Sequence, residues 1–239
     1  MHDQRDSCGT LRRDNHRFPS IAEPHTATSI MSRSVPESET QTDSAGERDS
    51  LAEWHTILRL SLCLFAVSIG FALMGSSLLQ IPLPTLADAT LFDCLTGLIA
   101  SIPLLSGLFI LRRSNAGWAH RLWDVPLDLL GPALARGTQP GFLCIAIMAG
   151  VSEELIFRGL LQSWLLPTSL LLALVVPNIA FGLLHYVNAV YAAAAGFTGL
   201  YFSILVQFVP EASLFSVMVA HAFYDYIALN CLAATARRT

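Results

Sequence analysis

Residues 159–210 read GLLQSWLLPTSLLLALVVPNIAFGLLHYVNAVYAAAAGFTGLYFSILVQFVP, 52 residues in which His185 is the one side chain among the Asp, Glu, Arg, Lys and His types. A spanning helix needs about 20 apolar residues. This stretch is therefore long enough for two spans with a tight connection, which decides for a polytopic membrane protein. Working outward, residues 212–236 supply another span, interrupted only by His221 and Asp225. Residues 60–87 and 94–111 carry no charge at all. The stretch 141–161 is apolar apart from Glu153, Glu154 and Arg158. Six helices are predicted, at about 57–79, 91–111, 141–161, 169–187, 191–209 and 213–233. The fold class expected is all-α, a transmembrane helix bundle of about six spans.

Composition agrees. The chain of 239 residues is 53% apolar and 13% charged, against about 25% charged in soluble domains. Residues 1–53 hold six Arg and ten acidic residues, so the net charge of −4 belongs to them, and the remaining 186 residues are neutral with eight of each. No Lys is present, and no basic excess exists to bind nucleic acid. Residues 1–53 also carry thirteen Ser/Thr and no apolar run. They are read as a disordered polar tail, because they cannot bury enough surface to offset the entropy of ordering. They match neither a secretory signal nor a transit peptide. The five cysteines form no CxxC pair or framework, which argues against disulfide scaffold and zinc ribbon alike. The division expected is a tail at 1–53, two helices and a cytoplasmic loop at 54–140, and a core at 141–236.

Cytoplasmic loops retain Arg. Placing both termini in the cytoplasm puts Arg112, Arg113, Arg121, Arg136, Arg237 and Arg238 inside and leaves the outside loops without Arg. All four Trp (Trp54, Trp118, Trp123, Trp164) fall beside predicted span ends, where the amphipathic indole prefers to lie. The stretch around Trp118, Leu122 and Trp123 is open between an interfacial helix and a loop. The small residues from Ala192 to Gly199 read as close helix packing.

A charge at the centre of a span costs roughly 2.5–3.5 kcal/mol, so Glu153, Glu154, Arg158 and Asp225 would together cost roughly 10–14 kcal/mol unpaired. They must face protein or water, which makes them functional candidates. Glu154 and Arg158 are four apart, in the order that favours an ion pair, and Glu153 points about 100° away. Phe181 and His185 share one helix face with Asn178, where Pro177 can free a carbonyl. His221 and Asp225 are also four apart, so the carboxylate can hold the ring and set its tautomer.

Glu153-Glu154-xxx-Arg158, Phe181-xxx-His185 and His221-xxx-Asp225 resemble the three ordered motifs of the CPBP family, named for CAAX proteases and bacteriocin-processing proteins. The family is also called the ABI or type II CAAX prenyl endopeptidase group, and the resemblance covers about residues 141–236. It implies an intramembrane endopeptidase in a bacterial plasma membrane, acting on a membrane-associated peptide or protein. By the same resemblance Glu153 activates water with help from His185, His221 with position 225 stabilises the oxyanion, and Glu154 with Arg158 orients the site. Many relatives carry Asn at 225, which can donate to an oxyanion; an ionised Asp225 cannot. Either Asp225 is protonated or it only orients His221. The cofactor expectation is none, with zinc on Glu153, His185 and His221 as the alternative, since His₂Glu is a catalytic zinc set.

Two rival classes stay open: a transporter with an intramembrane proton relay, and a non-catalytic bacteriocin-immunity or scaffold protein. An aspartyl intramembrane protease is disfavoured because the GxGD partner of Tyr224-Asp225 is absent. Helix rise sets one further expectation. Glu153 lies roughly 18 Å from the inner end of its span, whereas His185 falls near the inner end of its own. For the two to meet, the fourth span is expected to continue past His185 and the 162–168 connection to dip into the protein.

Overall fold

The computed structural model describes residues 37–238, with side chains from Leu51 onward. Among the described residues there are seven helices and no strand: α1 (Glu37–Leu79), α2 (Leu91–Arg113), α3 (Gly117–Ala135), α4 (Gln139–Leu165), α5 (Leu170–Leu184), α6 (Ala189–Phe208) and α7 (Leu214–Ala236). The apolar part of α1 from Leu51, together with α2, α4, α6 and α7, is long and apolar enough to cross a membrane. The chain is thus an integral membrane protein. Large apolar side chains such as Leu64, Val67 and Leu78 on α1 and Ile99 and Ile110 on α2 point outward, as a lipid-facing surface requires.

Helix starts are written in the loops. Thr90 caps α2 through a capping box with Asp93, whose carboxylate accepts from the Thr90 backbone N–H at 2.8 Å. Thr138, Ser169, Asn188 and Ser213 cap α4, α5, α6 and α7 through their side-chain oxygens. Each satisfies an amide that the helix leaves unpaired. Between α1 and α2, Asp88 accepts from Thr85 N at 2.7 Å and Thr85 Oγ1 at 2.9 Å. Those bonds hold its carboxyl below the usual carboxylate range.

Helix α7 is the centre of the bundle, packing against α2, α3 and α4, while α5 pairs with α6. Glycines permit the closest approaches. A Cβ on Gly150 would stand 2.8 Å from Ala222 N and Met218 O, so α4 and α7 touch backbone to backbone there. A Cβ on Gly182 would stand 2.6 Å from Ala192 O and 3.3 Å from Gly196. The small residues of α6 therefore serve helix packing, as the sequence suggests.

Several boundaries differ from the sequence expectation. Residues 1–36 of the tail lie outside the described residues, and 37–53 continue α1 as a polar helical extension. Extending an existing helix costs far less than nucleating one. The stretch around Trp118 is a helix, α3, despite Pro126 and Pro132 within it. Trp54 is buried against Phe142 in a cluster with Leu134 and Ala233.

The fourth span is corrected most. Helix α5 has 15 residues and stops at Leu184, with His185 as its C-cap. At about 22 Å it falls short of the roughly 30 Å hydrocarbon layer. It does not continue past His185, and the 162–168 connection does not dip inward: beyond buried Gln162, residues Ser163, Trp164, Leu166, Pro167 and Thr168 are exposed. His185 reaches Glu153 because α5 is short.

Candidate active site

Glu153 and Glu154 end the α-helical first part of α4, and a π-helical stretch, Leu155–Gln162, follows directly. Wide turns of this kind interrupt α-helices frequently at functional positions. Arg158 sits inside the stretch, and its carbonyl accepts from Ser163 Oγ, five residues on, at 3.1 Å.

The Glu154 and Arg158 side chains are both fully buried. Arg158 Nη1 donates to Glu154 Oε1 at 3.0 Å. Its Nη2 donates to Asn178 Oδ1 at 3.1 Å and to the carbonyl of Gly199. Gly199 is required here, because a Cβ would stand 2.8 Å from that nitrogen and 2.7 Å from the Asn178 oxygen. Asn178 Nδ2 in turn donates to Ser203 Oγ at 2.9 Å. The rings of Phe157, Phe181 and Phe202 surround the guanidinium. One charge pair thus ties α4, α5 and α6 together within an apolar shell.

His221 on α7 joins this pair. Its Nδ1–H donates to Glu154 Oε1 at 2.8 Å, which leaves Nε2 facing Glu153 Oε2 at 3.9 Å and Asp225 Oδ2 at 3.5 Å. The sequence spacing suggests that Asp225 holds the ring; the short bond is made by Glu154 instead. Phe202 stacks on the ring with centroids 5.4 Å apart.

His185 approaches from the end of α5. Its Nδ1–H donates to Phe181 O at 2.8 Å. A carbonyl can only accept, so the proton stands on Nδ1 and Nε2 is turned toward Glu153 Oε2 at 3.7 Å. Phe181 stacks on it, centroids 4.4 Å apart.

All six candidate side chains therefore meet, and they divide by exposure. Glu154, Arg158 and His221 are buried, whereas Glu153, His185 and Asp225 are 27%, 31% and 31% exposed. His185, His221 and Asp225 line a cavity of about 630 Å³ between α2, α3, α4, α5, α6 and α7. Glu153 Oε2, facing both histidines, has no hydrogen-bond partner among the described residues. Among the described residues no group of three or more His, Cys, Asp or Glu side chains is disposed to hold a metal ion. Sequence reasoning missed Gly199, Ser203 and Phe202, since neither a backbone acceptor nor a ring stacked from another helix has a signature in the chain.

Residues 136–227 match the family model described as type II CAAX prenyl endopeptidase Rce1-like. The match contains all six residues and bears out the resemblance read from the motifs. No curated protein and no solved structure matches.

Proposed function

We propose that this chain is an intramembrane endopeptidase of the CAAX-protease type, hydrolysing a peptide bond in a membrane-associated peptide or protein with Glu153 as the base. One observation supports the reading above the others. Glu153 Oε2 is buried and unpartnered, and two imidazole nitrogens face it at 3.7 and 3.9 Å. Those separations are too long for direct hydrogen bonds, which leaves the oxygen free to accept a proton from an incoming water.

In the reaction that water loses a proton to Glu153 while its oxygen attacks the scissile carbonyl carbon. The carbonyl π pair moves to oxygen. His221 as imidazolium, with Nδ1–H on Glu154, turns its Nε2–H toward the developing oxyanion. Collapse of the intermediate re-forms the carbonyl, breaks the C–N bond and returns the Glu153 proton to the leaving nitrogen. His185, its tautomer set by Phe181 O, orients the water. Glu154 and Arg158 hold His221 in place and touch no substrate.

The test compares membrane-protein fragments from cells producing wild type, Glu153→Ala and His221→Ala. Peptides lost in both variants establish proteolysis and identify the substrate; an unchanged fragment set returns the non-catalytic reading. The mechanism needs no metal, so cleavage is expected to survive exhaustive chelation. Activity restored only by added zinc would overturn that part.

A further inference from the structure

The chain has five tyrosines, all within the described residues. Tyr201 donates to Ala100 O at 2.7 Å and Tyr226 to Gln139 Oε1 at 2.6 Å, while Tyr186 is exposed. Tyr191 and Tyr224 differ from these. Both are half-buried, neither hydroxyl has a partner among the described residues, and both line the cavity that holds His185, His221 and Asp225. A half-buried phenol normally finds an acceptor. Two that find none, in one cavity, are donors left for whatever enters it.

Tyr191 is the better placed of the two. It stands in the first turn of α6, on the wall of the cavity that also carries His185. It is also firmly held. Asn188 Oδ1 accepts from Tyr191 N at 2.9 Å, and Asn188 Nδ2 donates to the carbonyl of Arg121 on α3 at 3.1 Å. The turn between α5 and α6 thus delivers His185 from one helix end and Tyr191 from the next. The chemistry leaves a position open for it. An oxyanion needs neutral or cationic donors, and an ionised Asp225 beside His221 accepts only.

We propose that Tyr191 is a catalytic residue that donates its O–H to the scissile carbonyl oxygen, the role that a carboxylate at 225 cannot fill. The inference rests on the peptidase reading above. As the π pair moves to the carbonyl oxygen, the Tyr191 O–H and the His221 Nε2–H both donate to it. No proton is transferred from either, and both bonds relax when the carbonyl re-forms.

Native membranes from cells producing wild type, Glu153→Gln, Tyr191→Phe and Tyr226→Phe serve as the first probe, read as new peptide N-termini. A synthetic peptide spanning a bond cut by wild type and not by Glu153→Gln is then assayed with each purified protein. Tyr191→Phe is expected to lower kcat about 100-fold with KM changed less than about threefold, and Tyr226→Phe to match wild type. A Tyr191→Phe protein that keeps kcat, or changes only KM, overturns the inference while leaving Glu153 in place. If no N-terminus depends on Glu153, the peptidase reading itself falls. Thermal unfolding of Tyr191→Phe at the wild-type midpoint excludes a folding defect, since the ring is retained.

Discussion

Glu153 and Glu154 are consecutive carboxylates on one helix, yet they belong to two different environments. Glu154 faces the side of α4 closed by α5, α6 and α7, where Arg158, His221 and three phenylalanine rings leave it no exposure. Glu153, about 100° round the helix, looks toward His185 and His221 with one oxygen unpartnered. The difference teaches that a doubled acid in a membrane helix can stand in two environments, one closed and paired and one partly open, which under the proposed function become a structural and a chemical task. Burial and pairing decide which is which.

Breaking each side separately tests that division. Glu153→Gln keeps shape and removes the base, and is expected to lower kcat at least about 1,000-fold. Its thermal midpoint stays near the wild-type value. Glu154→Gln should lower the midpoint, because it leaves the buried guanidinium without its countercharge, and should lower kcat as well through the weakened hold on His221. Removing one member of a buried pair costs about 3–5 kcal/mol, read as a lowered midpoint and reduced accumulation in membranes. Should both variants unfold alike, the division is wrong.

Gly150→Ala probes the distance between the two environments. Its new Cβ would meet the α7 backbone at 2.8 Å, so the helices must separate and carry His221 away from both glutamates. Misplacement of about 1 Å costs on the order of 100-fold in rate, visible in kcat with little change in KM. The smallest effect is expected for Asp225→Asn. With the neutral donation assigned to Tyr191, that variant should stay within about tenfold of wild type. Abolished activity would mean that the carboxylate itself is needed to orient His221.

Much of the site is legible in the sequence because its parts are local. Glu154 with Arg158 and Phe181 with His185 are four-residue spacings on single helices, and the scarcity of charge in the spans isolates them. What escapes is non-local or belongs to the backbone. Glu154 accepts from His221, 67 positions on, so the nearer Asp225 looks like the natural partner. The Gly199 carbonyl that accepts from Arg158 is identical in sequence to any other. Hydropathy cannot mark the end of α5 at Leu184, since Tyr186 and Val187 continue the apolar run. The burial of Trp54 is hidden for a related reason: an indole near a span end suits an interface and a core equally by composition.

The π-helical stretch Leu155–Gln162 sets one more property of the molecule. It acts as a phase shifter between the two ends of α4, whose side chains beyond it are rotated relative to an uninterrupted α-helix. The helix therefore holds a residue of slack beside the reacting groups. A one-residue deletion within 159–162, beyond Arg158, has an α-helical register to fall into, whereas the same deletion at 145–150 has none and must turn Glu153 away from the histidines. Tolerance of length change along α4 should accordingly be greater at the π-helical stretch than at 145–150.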